Sequence, residues 1–145
     1  MKRIFLLLVG IMFMSTAAFA SRDVAIAIEQ LPKAAQQFIQ AHFANMQVSY
    51  AKKETDFFDK SYEVMFVNGC KVEFNSKGEW TDVDCKYAEV PTGVIPPRIQ
   101  AYLTKNYPNV KVVDIEKDKR DYELKLSNRI ELKFDRRENL IGYDR

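Results

Sequence analysis

The chain has 145 residues, of which 22 are basic and 20 acidic, and 47% of them are hydrophobic. A chain of this length suits one compact domain. Two of the basic residues, Lys2 and Arg3, belong to a leader segment, so 20 basic and 20 acidic residues remain after it. A neutral and evenly mixed chain has no electrostatic footprint for a nucleic acid, and we expect no nucleic-acid partner.

Residues 1–20 are predicted to be an export signal. Lys2 and Arg3 form a short cationic head, an apolar run covers 4–14, and residues 18–20 (Ala-Phe-Ala) place small side chains where a signal peptidase cleaves. The apolar run is too short for a membrane span, which needs about twenty apolar residues. We therefore expect a periplasmic or secreted protein with no stable membrane insertion after the signal is removed.

Two similar segments follow, and each begins with a predicted helix. The lead-in, 21–30, is either a first helical turn or an edge segment, and the sequence does not decide between them. The helices open at Leu31-Pro32 and at Ile95-Pro96-Pro97. Proline is tolerated there because its missing N–H would be unpaired in a first helical turn. Apolar residues at helical spacing then predict one buried stripe on each helix.

Four strands are predicted after each helix, because apolar and charged residues alternate. The apolar set is Tyr62, Val64, Phe66, Cys70, Val72 and Phe74 in the first segment, and Tyr122, Leu124, Leu126, Ile130, Leu132 and Phe134 in the second. This period is typical of a sheet with one buried and one solvent-exposed face. Asn68-Gly69 is a strong hairpin signal, and Asn128-Arg129 is its weaker copy.

These patterns predict an α+β fold that is a tandem repeat of one helix plus a four-stranded antiparallel sheet. The repeats would cover 21–87 and 88–145 and form one compact domain. Placed side by side, they would build a continuous or near-continuous sheet with both helices on one face. The opposite face would remain open.

The two cysteines are predicted to form a structural disulfide. A hairpin centred on the turn 75–78 places Val72 opposite Val83 and Cys70 opposite Cys85. Cross-strand Cβ atoms lie about 4.5–5.5 Å apart, close to disulfide spacing, and an exported protein meets oxidising conditions. The alternative, a redox pair, is disfavoured because there is no Cys-x-x-Cys motif beside a helix.

No arrangement of catalytic residues is evident in the sequence. His42 is the single histidine, and two cysteines with one histidine make a poor zinc site. The carboxylates alternate with lysines, as on a solvated sheet face, and the glycines are too scattered for a phosphate-binding loop. We therefore predict no enzymatic activity, no catalytic residue, no metal site and no cofactor. An unrecognised hydrolase that uses a carboxylate pair is the alternative.

Exposed aromatic and charged residues are the candidates for binding a partner. In the register set by the disulfide, Trp80 lies on the open face with Met65, Lys71 and Glu73, and tryptophan in a charged surrounding is a frequent binding anchor. A bulge or a one-residue slip would instead turn Trp80 into the core, and both alternatives remain open. Phe57-Phe58 lies in a loop present only in the first segment, and it is either a partner contact or a flap over the sheet edge.

The repeated motifs resemble a known family. Three motifs occur twice: Leu/Ile-Pro-x(5)-Phe/Tyr-Ile/Leu, Tyr-Glu-Val/Leu and Val/Leu-Glu/Lys-Phe-Asn/Asp. On these motifs, the chain from 31 to 145 is similar to the PepSY-like proteins with a beta-lactamase-inhibitor-like fold. The resemblance implies tandem helix-plus-four-strand repeats and a concave sheet that receives a protein partner. It does not imply beta-lactamase inhibition, an activity of distant relatives that share the architecture.

Together, these observations predict a non-catalytic periplasmic binding module whose partner is another exported protein or a peptide. It would act as a protein inhibitor or an envelope sensor through the open sheet face. The alternative is a protein that binds a small ligand or peptide in the groove between the repeats.

Overall fold

The computed structural model describes residues 22–145, and the predicted export signal at 1–20 lies outside them. The described residues form one antiparallel sheet of nine strands, in which every strand pairs with its neighbours in chain order. The strands are β1 (Arg22–Ile26), β2 (Val48–Thr55), β3 (Lys60–Phe66), β4 (Lys71–Phe74), β5 (Trp80–Asp84), β6 (Val112–Lys117), β7 (Asp121–Leu126), β8 (Glu131–Asp135) and β9 (Leu140–Asp144). Helix α1 (Lys33–His42) precedes β2, and helix α2 (Pro97–Asn106) precedes β6.

The predicted tandem repeat of one helix plus a four-stranded sheet is wrong, although the α+β class is correct. The undecided lead-in forms β1, an edge strand that pairs Ala25 with Lys52 of β2. Strand β5 pairs with β6 through Val83 and Ile115, so the sheet runs unbroken through nine strands. An unpaired edge at β5 would leave a row of backbone N–H and C=O groups without partners, and pairing with β6 satisfies them.

Both helices pack on the same face of the sheet. The ring of Phe38 in α1 meets Phe74 at a centroid distance of 5.7 Å, and Tyr102 in α2 meets Phe134 at 5.5 Å. The core contains alternate strand residues, including Val64, Phe66, Val72, Phe74, Val83, Ile115, Leu124, Leu132 and Phe134. Since these side chains point toward the helices, the residues between them point to the other face, which we call the open face.

Cys70 and Cys85 form the predicted disulfide, and both residues are fully buried. The register agrees with the sequence argument, since Val72 lies opposite Val83 and Lys71 opposite Asp84. A bulge between Glu73 and Phe74 then shifts the pairing by one residue. The disulfide therefore fixes the register of β4 and β5 at the end nearest the long connection to α2.

Candidate metal centre

Charged side chains on the open face form two rows that cross the strands. The first row contains Lys52, Glu63, Glu73, Asp82, Glu116, Glu123 and Lys133, each opposite the next in the strand register. The second row contains Met65, Lys71, Asp84, Asp114, Lys125 and Glu131. Neighbouring strands lie about 4.8 Å apart, so each side chain in a row is within reach of the next.

The centre of the open face is acidic because of the composition of β5 and β6. On this face, β4, β7 and β8 each carry one lysine together with their acidic residues. Strand β5 instead carries Asp82 and Asp84, and β6 carries Asp114 and Glu116. Pairing of β5 with β6 places Asp82 opposite Glu116 and Asp84 opposite Asp114. Four carboxylates therefore meet where the two strands join.

Asp82, Asp114 and Glu116 form a cluster that we call the acidic triad. Each offers a carboxylate oxygen, and these oxygens all lie within 4.8 Å of one another. Ca²⁺ binds oxygen at 2.3–2.6 Å, so two ligands on opposite sides of one ion can be up to about 5.2 Å apart. The three oxygens therefore fit the coordination sphere of a single calcium ion. Magnesium, with bonds of 2.0–2.1 Å, spans only about 4.2 Å.

Two of these carboxylates each have a buried oxygen without a hydrogen-bond partner. Asp114 is only 8% exposed, and the Oδ1 atoms of Asp82 and Asp114 are buried without a hydrogen-bond partner among residues 22–145. No ion pair in this part of the chain includes a member of the acidic triad. A buried charge without a partner is strongly unfavourable, so a bound proton or a cation is needed to compensate it.

Glu63 shows how the same face accommodates a buried acid that has a structural role. It is 7% exposed, and it accepts a hydrogen bond from the hydroxyl of Tyr50 at 3.1 Å. The amines of Lys52 and Lys71 lie 3.4 and 3.8 Å from its two oxygens. The acidic triad has no comparable ion pair with a lysine among residues 22–145. Its carboxylates are held close together by the strands but are not neutralised by them.

Electrostatics in the acidic triad favour uptake of a proton. Burial, a hydrogen bond with the Asp114 carboxyl and the charges of Asp114, Glu116 and Glu73 raise the pKa of Asp82 to about 8. Burial also raises the pKa of Asp114, and burial with the charges of Asp114 and Glu123 raises that of Glu116. A protonated Asp82 carboxyl would donate a hydrogen bond to the Asp114 carboxylate, which favours the proton on Asp82. A divalent cation would displace it, because ligands bind metals in their deprotonated form.

The structure places Trp80 on the helix side of the sheet. The bulge after Glu73 brings Trp80 opposite Phe74, and its ring stacks on Phe38 at a centroid distance of 6.1 Å. The amine of Lys117 covers the ring at 4.2 Å from its centroid. Of the two orientations left open by the sequence, the inward one is therefore observed.

Three other candidate partner-binding residues lie on the open face. Lys71 forms an ion pair with Glu73 at 3.5 Å and lies opposite Met65 on β3. Glu73 lies opposite Asp82, so this group adjoins the acidic triad. Phe57 and Phe58 occupy the turn between β2 and β3, where they are 73% and 93% exposed. That these five residues bind a partner stays a prediction.

The acidic triad was missed from the sequence, from which we predicted no metal site. A signal was present: Asp82-Val83-Asp84 and Asp114-Ile115-Glu116 are acid–apolar–acid runs without the alternating lysine of the other strands. Each run by itself reads as a solvated strand. Only the pairing of β5 with β6, which are separated by helix α2, brings them together.

Residues 60–142 match a family model described as "Putative beta-lactamase-inhibitor-like, PepSY-like". A search of curated proteins found no match. Neither helix within 22–145 is long and apolar enough to cross a membrane.

Three solved structures are similar to the chain. A "putative calcium-regulated periplasmic protein" from Bacteroides thetaiotaomicron is 57% identical, with a TM-score of 0.82, over 85% of this chain and 97% of that one. A "putative periplasmic protein" from Bacteroides vulgatus is 53% identical, with a TM-score of 0.81 and the same coverage. Another from Bacteroides vulgatus, described as of unknown function, is 40% identical, with a TM-score of 0.79, over 86% of this chain and all of that one. The predicted localisation is confirmed by these relatives.

Proposed function

Because the chain belongs to the PepSY-like, beta-lactamase-inhibitor-like family and is periplasmic, we propose that it is a non-catalytic periplasmic protein that binds calcium at the acidic triad. The observation that carries the proposal is the buried Asp114 carboxylate, whose Oδ1 atom has no hydrogen-bond partner among the described residues and lies beside Asp82 and Glu116. The relative from Bacteroides thetaiotaomicron, described as calcium-regulated, supports the choice of ion.

The chemistry of the ligands favours calcium over other cations. Carboxylate oxygens are hard ligands that suit calcium, magnesium or manganese, whereas zinc and copper prefer sites with imidazole or thiolate. The three oxygens lie within 4.8 Å of one another, a range that calcium bonds of 2.3–2.6 Å span in full. Calcium also tolerates irregular geometry, and a flat sheet face offers ligands from one side only.

The ion would join two strands that share a short pairing. Strands β5 and β6 meet through three register pairs, the fewest of any neighbouring strands in the described sheet. Asp82 lies on β5, whereas Asp114 and Glu116 lie on β6. A calcium ion bound to all three cross-links the strands and removes the repulsion between the carboxylates. Occupancy of the site therefore changes both the charge of the open face and the stability of the sheet, as expected of an envelope sensor.

Isothermal titration calorimetry of the periplasmic form tests the proposal. We expect one calcium ion per chain, much weaker binding of magnesium, and loss of calcium binding in Asp82→Asn and Glu116→Gln. Glu89→Gln is the matched control, because Glu89 is exposed in the linker beside the end of α1. No heat from calcium, or undiminished binding by Asp82→Asn and Glu116→Gln, would contradict the proposal.

The hydrolase alternative makes a different prediction for the same residues. A carboxyl with a raised pKa beside an ionised one is the usual arrangement for general acid–base catalysis. In that case Asp82→Asn would abolish a hydrolytic activity that calcium inhibits. In the calcium-binding role, the wild type shows no turnover for Asp82→Asn to remove.

A further inference from the structure

We infer that the helix side of the sheet carries a binding site for a phosphate group, formed by the amine of Lys117, the hydroxyl of Tyr122 and the guanidinium group of Arg136. We call these three residues the basic cluster. The ligand class is a phosphate monoester, either free in solution or as the headgroup of a lipid. The cluster lies on the face opposite the acidic triad, so the inference goes beyond the proposed calcium site and does not depend on it.

The strand register places the basic cluster at one end of β6, β7 and β8. Lys117 is the last residue of β6 and lies opposite Tyr122 on β7, which in turn lies opposite Phe134 on β8. Tyr122 and Phe134 pack in the core beneath the helices. Directly paired residues share a face of the sheet, so Lys117 also points to the helix side. Arg136 follows Asp135, the last residue of β8.

Two aromatic rings and one backbone oxygen hold the cations of the basic cluster. The amine of Lys117 lies 4.2 Å from the centroid of the Trp80 ring, and the guanidinium carbon of Arg136 lies 4.8 Å from the centroid of the Tyr122 ring. Contacts of a cation with a ring face are attractive. The Nη1 atom of Arg136 also donates a hydrogen bond to the backbone oxygen of Asp118 at 2.9 Å. Because Asp118 directly follows Lys117, this bond brings the guanidinium group to the end of β6.

No carboxylate is paired with either cation in the described part of the chain. None of the ion pairs among residues 22–145 includes Lys117 or Arg136. Lys117 is half-buried, and burial followed by the charge of Arg136 lowers its pKa, against the opposing charge of Glu79. The carboxylate of Asp118 accepts two backbone N–H groups of its own turn instead. Two cations held together without a counter-ion favour an anion from outside the chain.

The unused hydrogen-bond donors of the basic cluster suit a phosphate group. Within the described residues, the amine of Lys117 and the hydroxyl of Tyr122 make no hydrogen bond, and Arg136 uses only Nη1. Arginine offers a planar fork and lysine a point charge, and both are common ligands of phosphate. A phosphate monoester carries a charge of about −1.5 to −2 at neutral pH, which matches one lysine and one arginine better than a single carboxylate does.

The first half of the sheet offers a natural comparison. Lys53 lies opposite Tyr62, in the same arrangement as the lysine–tyrosine pair of the basic cluster. The position that corresponds to Arg136 is Ser76, two residues after the phenylalanine opposite the tyrosine. Neither contact of a cation with a ring in the described chain includes Lys53. The first half therefore has the lysine and the tyrosine without the second cation, which makes Lys53→Gln a matched control.

Titration with glycerol phosphate in EDTA tests the inference. Trp80 is the single tryptophan and lies under the amine of Lys117, so its fluorescence reports binding, and calorimetry gives the Kd. We expect saturable binding that weakens as NaCl is added. The Kd should rise about tenfold or more in Lys117→Gln and in Arg136→Gln, and less in Arg136→Lys, which keeps the charge but not the fork. Tyr122→Phe should weaken binding by a smaller factor, and Lys53→Gln should bind as the wild type does.

Two further probes distinguish the sources of the phosphate group. Inorganic phosphate binds if the ligand is free in solution, and phosphatidylcholine vesicles sediment the protein only when they contain phosphatidic acid if the ligand is a lipid headgroup. Arg136→Gln should abolish whichever of the two is observed. No saturable binding of glycerol phosphate and no sedimentation with phosphatidic acid would overturn the inference, as would an unchanged affinity in both Lys117→Gln and Arg136→Gln.

The proposed function and this inference can fail separately. Because the two sites lie on opposite faces, Lys117→Gln and Arg136→Gln should bind calcium as the wild type does. Loss of calcium binding in Asp82→Asn should likewise leave the affinity for glycerol phosphate unchanged. Thermal unfolding of each variant, compared with the wild type in EDTA, confirms that it is folded.

Discussion

Asp114→Asn should stabilise the calcium-free protein, although the substitution replaces a buried residue. In EDTA at pH 8, the wild type holds carboxylates that repel one another, and the Oδ1 atoms of Asp82 and Asp114 have no partner within the described chain. Asparagine removes one negative charge, and its amide group can donate a hydrogen bond to Asp82. Replacing a buried polar side chain usually destabilises a protein, so an increase in stability would be diagnostic of a site that is built for a cation.

The size of the effect follows from the pKa of Asp82. Its rise from 3.8 to about 8 would correspond to about 5–6 kcal/mol at 1.36 kcal/mol per unit. Burial of Asp82 is the largest cause of this rise and is unchanged by the substitution, and solvent screens the half-buried group, so we expect only about 1–2 kcal/mol of stabilisation from loss of the Asp114 charge. For a domain of this size, that is an increase of about 3–8 °C in the melting temperature.

Thermal unfolding followed by circular dichroism measures this effect, with Glu89→Gln as the control for loss of one negative charge. Adding calcium should reverse the order of the two melting temperatures. At a hundredfold excess of calcium over Kd, the wild type gains about 2.7 kcal/mol of stability and Asp114→Asn gains none. A lower melting temperature for Asp114→Asn than for the wild type in EDTA would refute the reasoning. It would mean that Asp114 has a structural partner, as Glu63 has.

Three further predictions concern pH and stability. Because the pKa of Asp82 is raised above its unfolded value, the contribution of this group to stability is full below about pH 4 and is lost as the pH rises to about 8. The melting temperature in EDTA should therefore fall between pH 5 and 8, and it should fall less in Asp82→Asn or with calcium. Cys70 and Cys85 are 15 residues apart, and replacing both with serine should lower the free energy of unfolding in urea by about 3 kcal/mol. An unchanged urea midpoint of unfolding would contradict this. Gly78→Ala should lower the free energy of unfolding by about 2 kcal/mol, because the φ of Gly78 is +84° and the new Cβ would lie 2.7 Å from a side chain at the start of α1. Gly69→Ala is the comparison: its φ is similar but the space around it is open, so in the same assay it should cost only about half as much.

The periodicity of the sequence predicted the elements well because it records local burial. Alternation through Tyr62, Val64 and Phe66 identifies a half-buried strand, and Leu31-Pro32 marks the start of a helix. The lead-in at 21–30 was undecided because an edge strand buries little, and Val24 remains 53% exposed. The sequence led us to expect a continuous or near-continuous sheet, but the register of β5 with β6 could not be read from it, since a long connection through α2 separates the two strands.

The candidate site depends on non-local pairing and was therefore missed. Asp82 and Glu116 meet only because β5 and β6 are neighbours in the sheet. The orientation of Trp80 depended on a single bulge, between Glu73 and Phe74, which hydrophobic alternation does not reveal. The disulfide was predicted because Cys70 and Cys85 belong to one hairpin, where a turn sets the register.

A crystal structure of the protein grown with calcium chloride, with anomalous data collected for calcium, tests the site most directly. We expect one anomalous peak on the open face, with oxygens of Asp82, Asp114 and Glu116 at 2.3–2.6 Å and further oxygens above the sheet. A peak elsewhere, or an Asp82–Asp114 pair that holds no ion at saturating calcium, would contradict it.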